Sequence, residues 1–278
     1  MPAWLLSVVL FIGLTVYIAS FWGSAARWLP APFSGWSHKW VHLLAPWWQT
    51  NMLPDLPEKQ RYWLLYRSTD LVLGLLVPAT VLLAYRRKLS DVGLGAPNVL
   101  GLRLIAVSVL LSIPFGFWLL GTTAPVGAWP AIDWVYALAL LAMIPEHFLI
   151  CGTCTAILLP ERRLPFPVPL AEAPPRQAGG DRRLRFLRWL GLAQPHVAGR
   201  FRWLSWLGLT GPQALAILAS GALFGMVHVG KAPLELALSF PGGIAVAYLT
   251  VRAHSIWPAL VAHWSMNLIP LGIAAMFR

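Results

Sequence analysis

The sequence predicts an all-α fold, a polytopic transmembrane helical bundle of about seven spans. Three observations predict it. Of the 278 residues, 58% are hydrophobic and only 11% are charged, against roughly 25% charged residues in soluble domains. The mean hydropathy is +0.66. Long apolar stretches recur along the whole chain, which excludes both a soluble enzyme and a disordered chain.

Seven apolar segments are long enough to cross a bilayer at a helical rise of about 1.5 Å per residue. The first segment lacks a basic N-terminal region and a clear cleavage site, which predicts a retained helix rather than a removed signal peptide. Residues 23–61 are too polar and too proline-rich to span, and their tryptophans predict an interfacial segment. The predicted spans are 3–22, 62–85, 101–120, 132–159, 209–230, 233–251 and 255–277.

We expect the chain to divide into an N-terminal transmembrane and interfacial region, 1–99, and a membrane core, 100–278. The core contains a long basic loop, 160–208. Most of the Lys and Arg residues lie in loops such as this one and 86–103, whereas the loop 121–131 has none. This alternation predicts a cytoplasmic N-terminus and a cytoplasmic basic loop.

The formal net charge of +11 does not predict a nucleic-acid partner. The basic residues cluster between apolar segments, which is the usual topological pattern of membrane proteins. In the stretch 182–202, arginines are interleaved with Leu, Phe and Trp. That pattern predicts a membrane-surface helix that binds anionic lipid, with substrate docking as an open alternative.

Several spans contain ionisable side chains, although an acid at the bilayer centre costs about 3 kcal/mol on insertion scales. One span carries Glu146 and His147, another carries His228, and a third carries His263 and Asn267. A single histidine on an apolar face is usually a structural residue with satisfied hydrogen bonds. Three spans with such residues together predict a shared functional site.

The residue types in this set suit amide hydrolysis. A carboxylate and a neutral imidazole that flank one water can remove its proton, so that hydroxide attacks a carbonyl. A second imidazole and a side-chain amide can then donate hydrogen bonds to the oxyanion. Asn267 follows His263 by four residues, which places both on one helical face. A zinc ion bound by Glu146, His228 and His263 is the alternative, although the chain has no His-Glu-x-x-His motif.

At these residues the sequence resembles the CPBP family, the CAAX-protease and bacteriocin-processing (Abi) intramembrane endopeptidases. The family carries Glu-Glu-x-x-x-Arg, Phe-x-x-x-His and His-x-x-x-Asn on three transmembrane helices. Here the motifs fall in that order at Glu146–Cys151, Phe224–His228 and His263–Asn267. The resemblance covers residues 100–278. It implies a glutamic-type protease of a prokaryotic cell membrane that cleaves a membrane-embedded or lipid-modified peptide and needs no cofactor.

The resemblance also implies roles for individual residues. Glu146 and His228 are expected to activate water, and His263 and Asn267 are expected to hold the oxyanion.

Two family positions are altered in this chain. The family's second Glu is His147, and its Arg is Cys151. We predict that these two form a secondary site of neutral groups, because losing both partners of a buried ion pair leaves no uncompensated charge. Cys154 lies on the same helical face. A zinc site of His147, Cys151 and Cys154 is a further alternative, and burial of the cysteines as small apolar residues is the prediction.

Two other classes of function stay open at this point. The altered motif positions allow a catalytically inactive CPBP-like membrane protein that acts in immunity or assembly. Membrane Glu and His residues also relay protons in proton-coupled transporters. A transporter would favour inverted repeats, which the sequence does not display.

Overall fold

The computed structural model describes most of the membrane core and little of the N-terminal region. Within the described residues the chain is helical and forms no strand. The predicted span 3–22 lies outside them, as does almost all of the predicted interfacial segment 23–61. The described residues are 51, 68, 71–84, 86, 88–122, 141, 143–159, 182–192, 204, 207–229 and 233–277.

Seven helices form the described part of the chain, and the predicted all-α class is confirmed. A π-helical turn, Val72–Leu76, leads into the first helix, and a 3₁₀ turn, Leu89–Val92, follows it. The helices are α1 Val77–Ala84, α2 Val99–Thr122, α3 Met143–Leu158, α4 Arg182–Trp189, α5 Gly211–Met226, α6 Pro233–Ala253 and α7 Trp257–Met276.

Three of the described helices, α2, α6 and α7, are long and apolar enough to cross a membrane. Each coincides with a predicted span. The apolar stretches Gly74–Ala84, Met143–Leu158 and Gly211–Met226 lie within three other predicted spans but are shorter. The full number of seven spans stays a prediction.

Five helices, α2, α3, α5, α6 and α7, enclose the main buried core. α2 packs along α7, α5 packs along α6, and α6 also contacts α7. α3 lies against α5 and α6. The buried apolar side chains of this core are Leu104, Ile150, Cys151, Phe224, Val227, Val246, Leu249, Ala259 and Ala262.

α5 and α6 approach each other through glycines. A Cβ built on Gly221 would lie 2.5 Å from Ile244 Cγ1, and one built on Gly243 would lie 2.6 Å from the Cβ of Phe224. These separations leave no room for a methyl group, so the crossing requires glycine, as close helix contacts in membranes commonly do. The crossing fixes Phe224 against the middle of α6.

α3 is not a regular α-helix. It begins as a short α-turn, continues as a π-helix over His147–Thr153 and ends as an α-turn from Cys154. The Thr153 hydroxyl donates to the Phe148 carbonyl at 2.7 Å, and the Thr155 hydroxyl donates to the Cys151 and Gly152 carbonyls. These side chains supply donors where the backbone ladder is altered. π-Helical turns of this kind often occur at functional sites.

The basic helix α4 is attached to the core at its C-terminal end. Arg103 donates to the Trp189 carbonyl at 3.1 Å and lies over the Trp189 ring at 5.4 Å. Arg252 donates to the carbonyls of Gly191, at 2.6 Å, and Gly208, at 2.5 Å. Cations at the C-terminus of a helix are favourable because the helix dipole is negative there. The predicted surface helix within 182–202 is therefore present as a helix, and its lipid contact stays a prediction.

Candidate active site

α3 carries the acidic member of the candidate site. Glu146 is 3% exposed and is the last residue before the π-helical segment. His147 follows it and is fully buried. The change from α to π geometry occurs between these two residues, so their side chains leave the helix at its irregular point. Both predicted residues of this motif therefore lie in the interior of the bundle.

A single phenyl ring contacts three imidazoles. Phe224 stacks on His228, with ring centroids 4.8 Å apart and planes inclined by 20°. The His263 ring meets it nearly edge-on at 5.7 Å, and the His147 ring lies at 6.1 Å. The histidines come from α3, from the turn after α5, and from α7. Phe224 is therefore the point at which the three predicted motifs meet.

The hydrogen bond of His228 defines its neutral tautomer. Nδ1 lies 2.8 Å from the Phe224 carbonyl oxygen. Because a carbonyl only accepts, Nδ1 must carry the proton and donate it. The neutral ring then has its lone pair on Nε2, which is the nitrogen able to accept a proton or bind a metal. His228 is 4% exposed, so this geometry is held inside the protein.

His263 has a direct partner on α3. His147 Nε2 and His263 Nδ1 are 2.9 Å apart, and the two rings form a T-shaped pair with centroids 5.2 Å apart. The sequence indicated that both histidines were candidates but gave no sign that they contact each other. The contact joins the predicted secondary site to the predicted oxyanion site.

Asn267 lies one turn beyond His263, as the spacing predicts. Its Nδ2 donates to the His263 backbone carbonyl at 2.9 Å. The carbonyl oxygen settles which end of the amide is nitrogen, because only an N–H can donate to it. One of the two amide hydrogens is used in this bond, and the other can donate to a second acceptor. Both Asn267 and His263 are half-buried.

Of the two cysteines of α3, Cys151 packs among the apolar side chains of the main core and Cys154 is half-buried. Cys151 is fully buried in the main core, and both Cys151 and Cys154 are free thiols. In the described part of the chain, no group of three or more His, Cys, Asp or Glu side chains is arranged to hold a metal ion. The two zinc sets considered from the sequence therefore gain no support from the geometry.

Residues 186–269 match the family model described as type II CAAX prenyl endopeptidase Rce1-like. This segment is similar to CAAX proteases. It runs from α4 into α7 and contains Phe224, His228, His263 and Asn267. The resemblance that the motifs predict is thus confirmed by an independent comparison. Neither a curated protein nor a solved structure gave a significant match to the chain.

The Rce1-like segment supports a hydrolase of the CAAX-protease type and, with the three long apolar helices, an integral membrane protein. Intramembrane endopeptidase activity is the activity it suggests. Glu146 lies on α3, before the matched segment begins, so the comparison does not extend to that residue.

Sequence reasoning missed the central place of Phe224. The residue was part of a motif but was assigned no role. The spacing Phe-x-x-x-His does carry a signal, because residues four apart on a helix are neighbours and can stack. The contact between His147 and His263 had no such signal, because it depends on how α3 and α7 pack.

Proposed function

We propose that this protein is an intramembrane endopeptidase that hydrolyses a peptide bond of a membrane-associated or lipid-modified protein or peptide. The observation that carries the proposal is the meeting of His147, His228 and His263 on the ring of Phe224. Buried Glu146 is adjacent to this cluster in sequence, and the segment that supplies two of the histidines resembles CAAX prenyl endopeptidases. A peptide with a prenylated C-terminal cysteine is therefore the first substrate class to test.

Glu146 and His228 are the proposed water-activating pair. The Nδ1–H of His228 is engaged by the Phe224 carbonyl, so its Nε2 lone pair is available as a base. Glu146 supplies a second acceptor in a site from which bulk water is largely excluded. Proton removal from one water gives hydroxide, which adds to the scissile carbonyl. The abstracted proton then passes to the leaving amine.

His263 and Asn267 are the proposed oxyanion donors. When hydroxide adds to the carbonyl carbon, negative charge develops on the carbonyl oxygen and needs preorganised donors. The Asn267 amide retains one N–H beyond its bond to the His263 carbonyl. Both side chains are half-buried, in contrast to buried Glu146 and His228. This difference in burial suits donors that meet the substrate and a base pair that lies behind it.

The proposal requires no metal or other cofactor for the steps above. It further assigns the protein to a prokaryotic cell membrane, as the family resemblance implies, with a cytoplasmic N-terminus, as the pattern of basic loops predicts. The surface helix α4 is proposed to contact anionic lipid through its arginines. No nucleic acid takes part.

The proposal is tested by cleavage of a fluorogenic peptide with a prenylated cysteine by the purified full-length protein in liposomes. Glu146→Gln keeps the shape of the side chain and removes the base, so the rate should fall by about 10²-fold or more. His263→Ala should lower the rate by about 10²–10³-fold, the usual value of one oxyanion donor. A matched control is Glu235→Gln, which changes an exposed carboxylate in the first turn of α6 and should leave the rate unchanged.

A chelator series on the same preparation separates the metal-free mechanism from a zinc mechanism. Activity that persists in chelator supports water activation by Glu146 and His228. Activity that disappears with the metal and returns with added zinc contradicts it. Wild-type cleavage by Glu146→Gln contradicts water activation by Glu146. No cleavage by the wild-type protein contradicts the peptidase proposal and favours a catalytically inactive partner protein.

A further inference from the structure

We propose that His147 is a positioning residue that holds His263 in the tautomer with its proton on Nε2, ready to donate to an oxyanion. The inference rests on the proposed function, because it assigns a purpose to His263. It concerns the one motif position at which this chain has an imidazole where the family it resembles has a carboxylate.

The distance between the two rings requires one shared proton. His147 Nε2 and His263 Nδ1 are 2.9 Å apart, which is an N–H···N hydrogen bond. Two neutral arrangements satisfy it. Either His147 donates from Nε2, or His263 donates from Nδ1. The T-shaped geometry of the pair, with planes inclined by 71°, holds the two nitrogens in this contact.

Burial of His147 selects between the two arrangements. Its side chain is fully buried, and its Nδ1 has no hydrogen-bond partner among the described residues. If His263 donated, neutral His147 would carry its own proton on Nδ1 as a buried N–H without an acceptor. If His147 donates, its Nδ1 carries only a lone pair. Orphaned buried N–H groups are rarer than under-satisfied acceptors, so His147 donates.

The direction of this bond determines the chemistry of His263. A neutral imidazole whose Nδ1 accepts a hydrogen bond has its proton on Nε2. Nε2 is then a donor, as the proposed oxyanion contact requires. In metal sites, too, a hydrogen bond to one ring nitrogen of a histidine commonly fixes the tautomer and orients the other nitrogen. His147 thus acts on the reaction through His263.

A matched pair of variants tests the role. Gln and Leu are close in volume, but only Gln has an N–H to donate. His147→Gln should keep kcat within about 10-fold of the wild type, whereas His147→Leu should lose about 10²–10³-fold in kcat with KM little changed, as for loss of one oxyanion donor. His254→Asn, at the half-buried histidine between α6 and α7, is the control and should leave kcat unchanged.

Equal rates for His147→Gln and His147→Leu would overturn the inference, because packing alone would then explain the residue. The full-length wild type in lipid, labelled with ¹⁵N-histidine, gives a readout that depends on no substitution of His147. Protonated and unprotonated ring nitrogens differ widely in ¹⁵N shift, and His263→Ala identifies the signals of His263. Protonated Nε2 with unprotonated Nδ1 supports the inference, and the reverse pattern overturns it.

The tautomer measurement needs no substrate, so the two proposals fail separately. Wild-type cleavage by Glu146→Gln, with His263 still protonated on Nε2, would remove the peptidase mechanism alone. An inactive Glu146→Gln beside a fully active His147→Leu would remove the positioning role alone.

Discussion

The contact between Gly243 and Phe224 gives the most direct test of how the fold positions the site. An alanine Cβ at position 243 would lie 2.6 Å from the Cβ of Phe224 and 2.8 Å from the carbonyl oxygen of Gly221. Neither atom is the end of a flexible side chain, so α5 must move relative to α6. Overpacking of this kind typically costs about 1–3 kcal/mol.

The neighbouring Gly242 is a matched control. A Cβ there meets no atom within 4 Å. Both positions are inside α6, so any gain in helix propensity from glycine to alanine, roughly 0.5–1 kcal/mol in water, is shared by the two variants. The difference between them therefore isolates the clash. We expect Gly243→Ala to be less stable than Gly242→Ala by about 1–3 kcal/mol.

The effect on cleavage should exceed the effect on stability. Phe224 contacts the rings of three histidines, and a misplacement of about 1 Å in an active site can cost about 10²-fold in rate. Thermal unfolding in detergent and cleavage of the prenylated peptide in liposomes measure the two quantities. Equal midpoints and equal rates for Gly243→Ala and Gly242→Ala would refute both the close crossing and the central role of Phe224.

Three further predictions concern other parts of the chain. Cys151→Ala should lower the cleavage rate by less than about 10-fold, because Cys151 packs in the apolar core and takes no part in the proposed reaction. A positioned acid–base group contributes about 10²–10⁴-fold, so a loss of that size would reveal a chemical role for the thiol. Burial, and then the positive charge of Arg252, lower the pKa of His254. The unfolded chain therefore binds the proton more readily than the folded protein. The contribution of neutral His254 to the free energy of unfolding should be fully present above the ordinary pKa of histidine and be lost as the pH falls through the lowered pKa. His254→Asn, which tolerates the φ of +54° at this position, should flatten that pH dependence of the thermal midpoint, and parallel profiles for the two proteins would contradict the assignment. Replacement of exposed Arg182 and Arg185 by Gln should reduce the rise in thermal midpoint caused by anionic phosphatidylglycerol but not that caused by a zwitterionic lipid, whereas an undiminished rise would contradict lipid binding by α4.

Hydropathy predicted the helices at the C-terminal end of the chain closely. The predicted spans 233–251 and 255–277 correspond to α6 Pro233–Ala253 and α7 Trp257–Met276. Long apolar runs bounded by polar residues define such helices well. The predicted span 209–230 was too long, because α5 ends at Met226. His228 lies in the turn that follows, where its backbone N–H bonds the Gly225 carbonyl.

The interruption of α3 could not be predicted in the same way. The expected span 132–159 was drawn as one helix, yet its described part changes to π geometry at His147. Pro145 gave a sign of irregularity, but hydropathy does not distinguish α from π backbone. The expectation that His147 and Cys151 share a helical face assumed α periodicity, in which residues four apart are neighbours. In a π-helix the backbone hydrogen bonds run five residues apart, so the two side chains are offset around the helix axis differently from the α-helix that the prediction assumed.

The candidate site was predictable within each helix and not between helices. The spacing of His263 and Asn267 places them one turn apart, and Asn267 does donate to the His263 carbonyl. Similarly, Phe224 and His228 stack as their spacing allows. The pairing of His147 with His263 depends on the approach of α3 to α7, which long-range packing decides. The spacing of residues within one helix does not predict which other helix packs against it.

The depth of the cluster follows from the packing of α5 on α6. Gly243, which contacts Phe224, precedes the end of α6 at Ala253 by about ten residues, or about 15 Å of helix. That is roughly half of a hydrocarbon core about 30 Å thick. On the proposed function, both the scissile bond and the water must therefore reach the middle of the membrane. A lipid anchor on the substrate would hold the adjoining peptide at the bilayer, and buried Glu146 and His228 would meet that peptide where few competing polar groups exist. A polar side chain at that level would be stabilised only by partners within the protein, and the contacts of the imidazoles with one another and with Phe224 meet this requirement.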